Sequence, residues 1–133
     1  MSERLSGDVD LRGRWVNQNG STLWIDDQQG GLFGGRFTSK KGRAAKDKAY
    51  VVRGCVNGEL ASFAVNFRAE DHNLSAITSF AGRYAREADG VEKIHTVWIL
   101  ARQYEDEARA KATQVWNSFI TNTDVFDKQE SFE

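Results

Sequence analysis

Residues 49–68 read AYVVRGCVNGELASFAVNFR. Two runs of alternating apolar and polar residues, Ala49–Val56 and Glu59–Arg68, meet at Asn57-Gly58. That dipeptide accepts positive φ at both central positions, which a type I′ hairpin turn requires. In the second run Phe63, Val65 and Phe67 share one face, because successive strand side chains point to opposite sides. The stretch predicts an antiparallel hairpin with one buried face.

The same pattern extends in both directions. Downstream, Asp89-Gly90 separates Leu74–Arg86 from Val91–Arg102. Thr78, Phe80, Gly82 and Tyr84 share a face in the first of these runs, and Thr96, Trp98 and Leu100 in the second. Upstream lie the predicted strands Gly13–Gln18, Ser21–Asp26 and Leu32–Ser39, with Asp26–Gly31 as a looser turn. Thr113–Asn122 is the predicted last strand. Hairpin connections between sequential strands make an antiparallel up-and-down meander. About eight such strands remove both exposed edges by closing into a barrel. A barrel of about that size encloses room for side chains or one small ligand.

Two segments break the strand pattern. Lys40–Lys48 holds Lys40, Lys41, Arg43, Lys46 and Lys48 and is predicted to be a mobile loop. Tyr104–Ala112 is rich in Ala and Glu, and pairs Glu105 with Arg109 and Glu107 with Lys111 at i,i+4 spacing, which suits a turn or two of helix. No internal repeat or low-complexity region is present.

Composition bounds the rest. The 133 residues suit a single domain, 1–133, with a barrel core at about 13–122 and short polar tails. A formal net charge of −1 provides no field to draw the chain to nucleic acid or to a membrane surface. Cys55 is the only cysteine, so neither an internal disulfide nor a cysteine-based zinc cluster can form. His72 and His95 have no acidic or thiol companions at metal-ligand spacing, and His95 alternates with Thr96 to face away from the interior, where an oligomer interface could lie. The first ten residues lack the apolar run of a signal peptide, so the expected compartment is cytoplasmic, a removed leader giving the same appearance. No nucleophile elbow or phosphate loop is found, and no enzymatic activity is expected.

The run Gly13-Arg14-Trp15-Val16-Asn17-Gln18-Asn19-Gly20-Ser21-Thr22-Leu23 resembles the opening of the avidin and streptavidin family: G-x-W, then Asn, then Gly-Ser at a fixed offset. The similarity continues through Gly35-x-Phe37-x-Ser39, Tyr50-Val51-Val52-Arg53-Gly54, Phe63-Ala64-Val65-Asn66-Phe67, Thr78-x-Phe80-x-Gly82, Thr96-Val97-Trp98-Ile99-Leu100 and Lys111-Ala112-Thr113-x-Val115. It implies a streptavidin-like barrel that binds biotin as a ligand, with no resident cofactor, and that assembles as a tetramer or dimer.

Biotin asks a site for donors to its ureido oxygen, acceptors for its ureido N–H groups, an aromatic box for its thioether ring, and donors for its carboxylate. By resemblance, Asn17 and Ser21 match the ureido-oxygen donors and Ser39 an acceptor from a ureido N–H. Thr78 lies near the sulfur, and Phe67, Phe80 and Trp98 form the aromatic walls with Leu100 beside them. Residues of the basic loop would meet the carboxylate. Four positions depart from the family. Phe37 replaces a tyrosine donor, Ser118 stands where an Asp or Asn is expected, Ala76 replaces a serine near the carboxylate, and Ala110 replaces the tryptophan that one subunit lends its neighbour. Losing two or three polar partners costs roughly 2–6 kcal/mol, or about two to four decades of affinity. The expectation is a biotin binder weaker than the family's best, or a site retuned to a related ligand. The alternatives are a lipocalin-like carrier of another apolar ligand, and an oligomeric barrel whose degenerate site leaves a structural or interaction role.

Overall fold

The computed structural model describes residues 7–39, 48–68, 75–103 and 119–130. Eight strands follow in chain order: β1 (Gly13–Asn17), β2 (Thr22–Gln29), β3 (Leu32–Thr38), β4 (Ala49–Asn57), β5 (Leu60–Phe67), β6 (Ala76–Arg86), β7 (Glu92–Arg102) and β8 (Phe119–Lys128). Each pairs antiparallel with the next, and β8 returns to β1 through Trp15↔Lys128 and Asn17↔Phe126. The barrel is closed and no edge strand remains, as the meander predicts.

Three turns differ in detail from the sequence reading. Asn57 stays in β4 and pairs with Leu60, so the central residues are Gly58 and Glu59. Gly58, the first of the two, carries a positive φ of 64°, the position at which a two-residue hairpin turn asks for glycine. The turn at Asp89-Gly90 spans three residues: Gly90 N donates to Glu87 O and Glu87 N to Val91 O, with Gly90 at φ 86°. The looser turn expected over Asp26–Gly31 is tight. β2 runs on to Gln29 past a bulge between Ile25 and Asp27, and Gly30 and Gly31 alone bridge to Leu32. The bulge inserts one residue into β2, which interrupts the alternation that marked the strand's end in the sequence.

The last strand is also corrected. Its described part begins at Phe119 and runs to Lys128, six residues beyond the Asn122 at which the sequence reading ends it. Thr123 and Asp124 read as polar tail because the only strongly apolar inward residue beyond Asn122 is Phe126, which is fully buried. The helical turn expected at 104–112 lies outside the described residues, as does 40–47 of the basic loop.

The cross-strand register stacks inward-facing residues in rows. From the closed end towards the open end these are Ala61–Gly82–Thr96–Asp124, Phe63–Phe80–Trp98–Asn122, Val65–Thr78–Leu100–Ile120 and Phe67–Ala76–Arg102. Below them Leu11, Trp15, Leu23, Ile94 and Phe126 are fully buried. Gly54 lets the rings of Phe33 and Phe63 lie over β4, since a Cβ there would sit 2.5 Å from Phe33 Cζ and from Ser62 O.

The segment before β1 seals one end of the barrel. Val9 N donates to Gly58 O at 2.9 Å, and Gly58 N donates to Asp8 Oδ1 at 2.8 Å. Gln28 serves both sides of this non-strand backbone, accepting from Leu11 N at 2.8 Å and donating to Val9 O at 2.8 Å. Trp15 Nε1 donates to Leu11 O at 2.8 Å. These contacts satisfy backbone groups that would be costly to bury unpaired, and they leave the opposite end as the entrance.

Candidate ligand-binding site

Asn17 and Ser21 flank the β1–β2 turn at the open end. Asn17 N donates to Ser21 O and Gly20 N to Asn17 O, both at 3.0 Å. The Asn17 side chain builds the turn as well: its Oδ1 accepts from Asn19 N at 3.0 Å and Ser21 N at 2.9 Å. With the oxygen committed, the amide nitrogen must face the barrel. Nδ2 donates to Asp124 Oδ2 at 3.1 Å, and an amide nitrogen has a second hydrogen to offer. The turn residue and the site residue are thus one and the same.

Asp124 is the residue that the sequence reading missed. It is buried on β8, and its other carboxylate oxygen accepts from Gln18 Nε2 at 2.8 Å. Gln18 closes a ring by accepting from Val125 N at 3.0 Å. Thr96 Oγ1 donates to the Asp124 backbone carbonyl at 2.9 Å. A carboxylate held by amide donors on one side keeps its remaining lone pairs for a ligand N–H. Ser118, the candidate that the sequence reading places here, lies outside the described residues. Asp124 is an inward-facing acid on β8 that the sequence reading did not select. The signal was present, since Asp124 and Phe126 alternate, but it stood in a run of polar residues.

The other candidates fall on the inner surface of the same barrel. Ser21 and Thr78 are buried, and Ser39 is half-buried just past the end of β3. Phe80 is buried and stacks on Phe63 with centroids 4.6 Å apart, and Trp98 pairs with it across β6 and β7. The Trp98 Nε1 is buried with no hydrogen-bond partner among the described residues. Leu100 lies one row nearer the entrance, beside Thr78. Phe37 is buried and meets Phe67 edge-on at 5.9 Å. Phe67 also meets Tyr50 at 4.9 Å, an aromatic that the sequence reading did not select although it faces Phe37 across β3 and β4. Burial pushes the Tyr50 phenol pKa up, so it stays a hydroxyl at neutral pH.

Ala76 is buried at the rim between Phe67 and Arg102. A cleft of about 360 Å³ passes over this rim, with Ala76 and Arg102 on the barrel side and Ile77 and Ala101 outside. Arg68 also lines it. Among the described residues no group of three or more His, Cys, Asp or Glu side chains is placed to hold a metal ion. No described helix is long and apolar enough to cross a membrane.

An eight-stranded up-and-down barrel, plugged at one end and lined at the other by a clamped carboxylate, an asparagine, hydroxyls and aromatic walls, belongs to the class of barrels that enclose a small molecule. The Avidin family model matches residues 6–129, and the chain belongs to that family. Among solved structures, apo shwanavidin is 28% identical with a TM-score of 0.73, the match covering 90% of this chain and 100% of that one. A shwanavidin–biotin complex is 28% identical with a TM-score of 0.72, covering 91% and 99%. The rhizavidin–biotin complex is 25% identical with a TM-score of 0.73, covering 93% and 96%.

Proposed function

We propose that this chain binds biotin reversibly in the open end of the barrel and carries out no chemistry on it. The observation that carries this is Asp124 held between Asn17 and Gln18. The clamp presents a fixed acceptor for one ureido N–H, and the second Asn17 N–H and Ser21 serve the ureido oxygen. Ser39 accepts from the other ureido N–H. Thr78 sits by the thioether, with Phe67, Phe80, Trp98 and Leu100 around the ring and chain. Two relatives of this fold have been solved with biotin bound.

The affinity follows from what is present and what is replaced. With Asp124 in place, the acceptor thought lost at Ser118 is restored. The remaining polar losses are at Phe37 and Ala76. One neutral hydrogen bond and one to a carboxylate are worth about 2–4.5 kcal/mol together, or roughly one and a half to three decades relative to a site that kept both.

Self-association belongs to this reading. Ile77, Val97, Ile99 and Phe119 lie on the outer faces of β6–β8 and are all strongly exposed. Such an apolar face favours a homo-oligomer, dimer or tetramer. Light scattering at micromolar concentration tests it, and a monomer would count against it.

The test of binding is a thermal melt with and without biotin, followed by calorimetry. A ligand that binds only the folded state stabilises it by RT ln(1 + [L]/Kd), about 2.7 kcal/mol at a hundredfold excess over Kd. No shift at millimolar biotin would refute the assignment.

A further inference from the structure

We propose that the Asn19-Gly20 link at the mouth of the barrel is a self-modification site, where the chain converts its own asparagine to an iso-aspartyl residue and so switches ligand binding off. The loss of binding rests on the biotin reading; the modification itself does not.

The chemistry needs an asparagine, the next backbone nitrogen and water. Gly20 N, having given up its proton, attacks Asn19 Cγ. The new N–C bond closes a five-membered imide, and the side-chain nitrogen leaves as ammonia. Water then opens the ring. Attack at Cγ gives aspartate. Attack at the backbone carbonyl carbon gives an iso-aspartyl link, in which the chain runs through Cβ and Cγ. Nothing is oxidised or reduced: amide plus water becomes acid plus ammonia. Glycine in second place favours closure, because no Cβ screens its nitrogen.

The chain holds two Asn-Gly pairs, Asn19-Gly20 and Asn57-Gly58, and the structure separates them. Asn57 is paired with Leu60 across β4 and β5. Gly58 N donates to Asp8 Oδ1 at 2.8 Å, and Gly58 O accepts from Val9 N at 2.9 Å. A carboxylate acceptor holds the very proton that must leave, and the plug fixes the backbone around it. The other pair has neither restraint. Gln18, Asn19 and Gly20 are exposed and lie between β1 and β2, outside the ladder. Gly20 N donates to a neutral carbonyl, Asn17 O, at 3.0 Å. Among the described residues the Asn19 side chain has no hydrogen-bond partner, so its Cγ is free to swing to Gly20 N.

The effect on binding follows from what spans this link. Asn19 N and Ser21 N converge on Asn17 Oδ1, at 3.0 and 2.9 Å. An iso-aspartyl link adds one backbone atom between those two donors, so both can no longer meet one oxygen. Asn17 Oδ1 is released, its amide turns over, and Nδ2 leaves Asp124. Plain aspartate keeps the backbone length and therefore the clamp.

The experiment ages the full chain in mildly alkaline heavy-oxygen water at body temperature, then maps its peptides by mass spectrometry. Heavy oxygen should enter at Asn19 several-fold faster than at Asn57. The iso-aspartyl fraction, resolved by ion exchange and identified with an iso-aspartyl methyltransferase, should bind biotin at least about tenfold more weakly than fresh protein in calorimetry, the scale of one broken buried hydrogen bond. The aspartate fraction should stay within about threefold. Asn19→Gln, whose longer side chain closes its ring far more slowly, should bind as wild type when fresh and keep its affinity through ageing. Equal or faster labelling at Asn57 overturns the assignment of the site. So does an unlabelled Asn19 under conditions that label both pairs in the denatured chain. Iso-aspartyl protein that binds like fresh protein, or an Asn19→Gln chain that loses affinity on the same course, overturns the switch. If fresh wild type binds no biotin, the biotin reading fails alone: the label still decides the site, and the melting temperature of the iso-aspartyl fraction, expected below that of fresh protein, still decides whether the turn is broken.

Discussion

Replacing Asp124 with alanine removes the centre of the polar end of the site. Two side-chain hydrogen bonds are lost, from Asn17 Nδ2 at 3.1 Å and Gln18 Nε2 at 2.8 Å. Their values differ. Gln18 stands on an exposed turn and can pass its amide to water. Asn17 is buried, and with its Oδ1 fixed by the turn its Nδ2 cannot rotate away. Leaving that donor unpaired costs about 1–3 kcal/mol. Taking ~2 kcal/mol, and an unfolding entropy of ~2.1 cal/mol/K per residue for 133 residues, the melting temperature should fall by about 7 °C. Biotin loses a charge-assisted acceptor worth about 1.5–3 kcal/mol, so its affinity should fall roughly 10- to 150-fold. Calorimetry on the folded variant separates the two effects. Asp124→Asn is the sharper control: it keeps the volume but turns one acceptor into a donor that faces the amides of Asn17 or Gln18, so it should bind no better than the alanine variant. An Asp124→Ala protein that melts within a degree of wild type and binds biotin within threefold would refute the whole account of the clamp.

Phe37→Tyr restores a hydroxyl at the ureido end. Biotin should bind about 2- to 10-fold tighter in calorimetry, for one added neutral hydrogen bond, while the ligand-free melting temperature stays level or drops; weaker binding would mean that the ring edge on Phe67 does not point at the ligand. Gly54→Ala should severely destabilise or prevent folding, because the new methyl meets Ser62 O and Phe63 Cβ, neither of which can swing aside. Gly58→Ala meets nothing within 4 Å and should cost only the strain of its positive φ, about 1–2 kcal/mol, so denaturant melts should rank the two variants in that order. Asp10 hydrogen-bonds Arg12, which lowers its pKa to about 2. A lowered folded-state value stabilises above the ordinary 3.8 and is lost as pH falls towards 2. Both side chains are more than half exposed, so Asp10→Asn should cost only a few tenths of a kcal/mol at pH 7, a small remnant of that at pH 2 and nothing well below it in paired thermal melts.

The fold, and which of the candidate residues share the barrel's inner face, could be read from the chain alone, because both depend on local, periodic signals. Period-two alternation with glycine-bearing turns located seven strands to within a few residues. The offsets in Gly13–Leu23 placed Asn17 and Ser21 together, since their spacing is set by one hairpin turn. The tertiary structure decided what depends on partners distant in sequence. Asp124 is joined to Asn17 across 107 positions, and neither the bond nor the inward face of β8 leaves a mark in a polar run that alternates weakly. The bulge in β2, the one-residue shift at Gly58 and the plug held by Gln28 arise from closing the barrel, where twist and register must fit all eight strands at once. Local chemistry chose the strands. Closure decided which of their side chains share the interior.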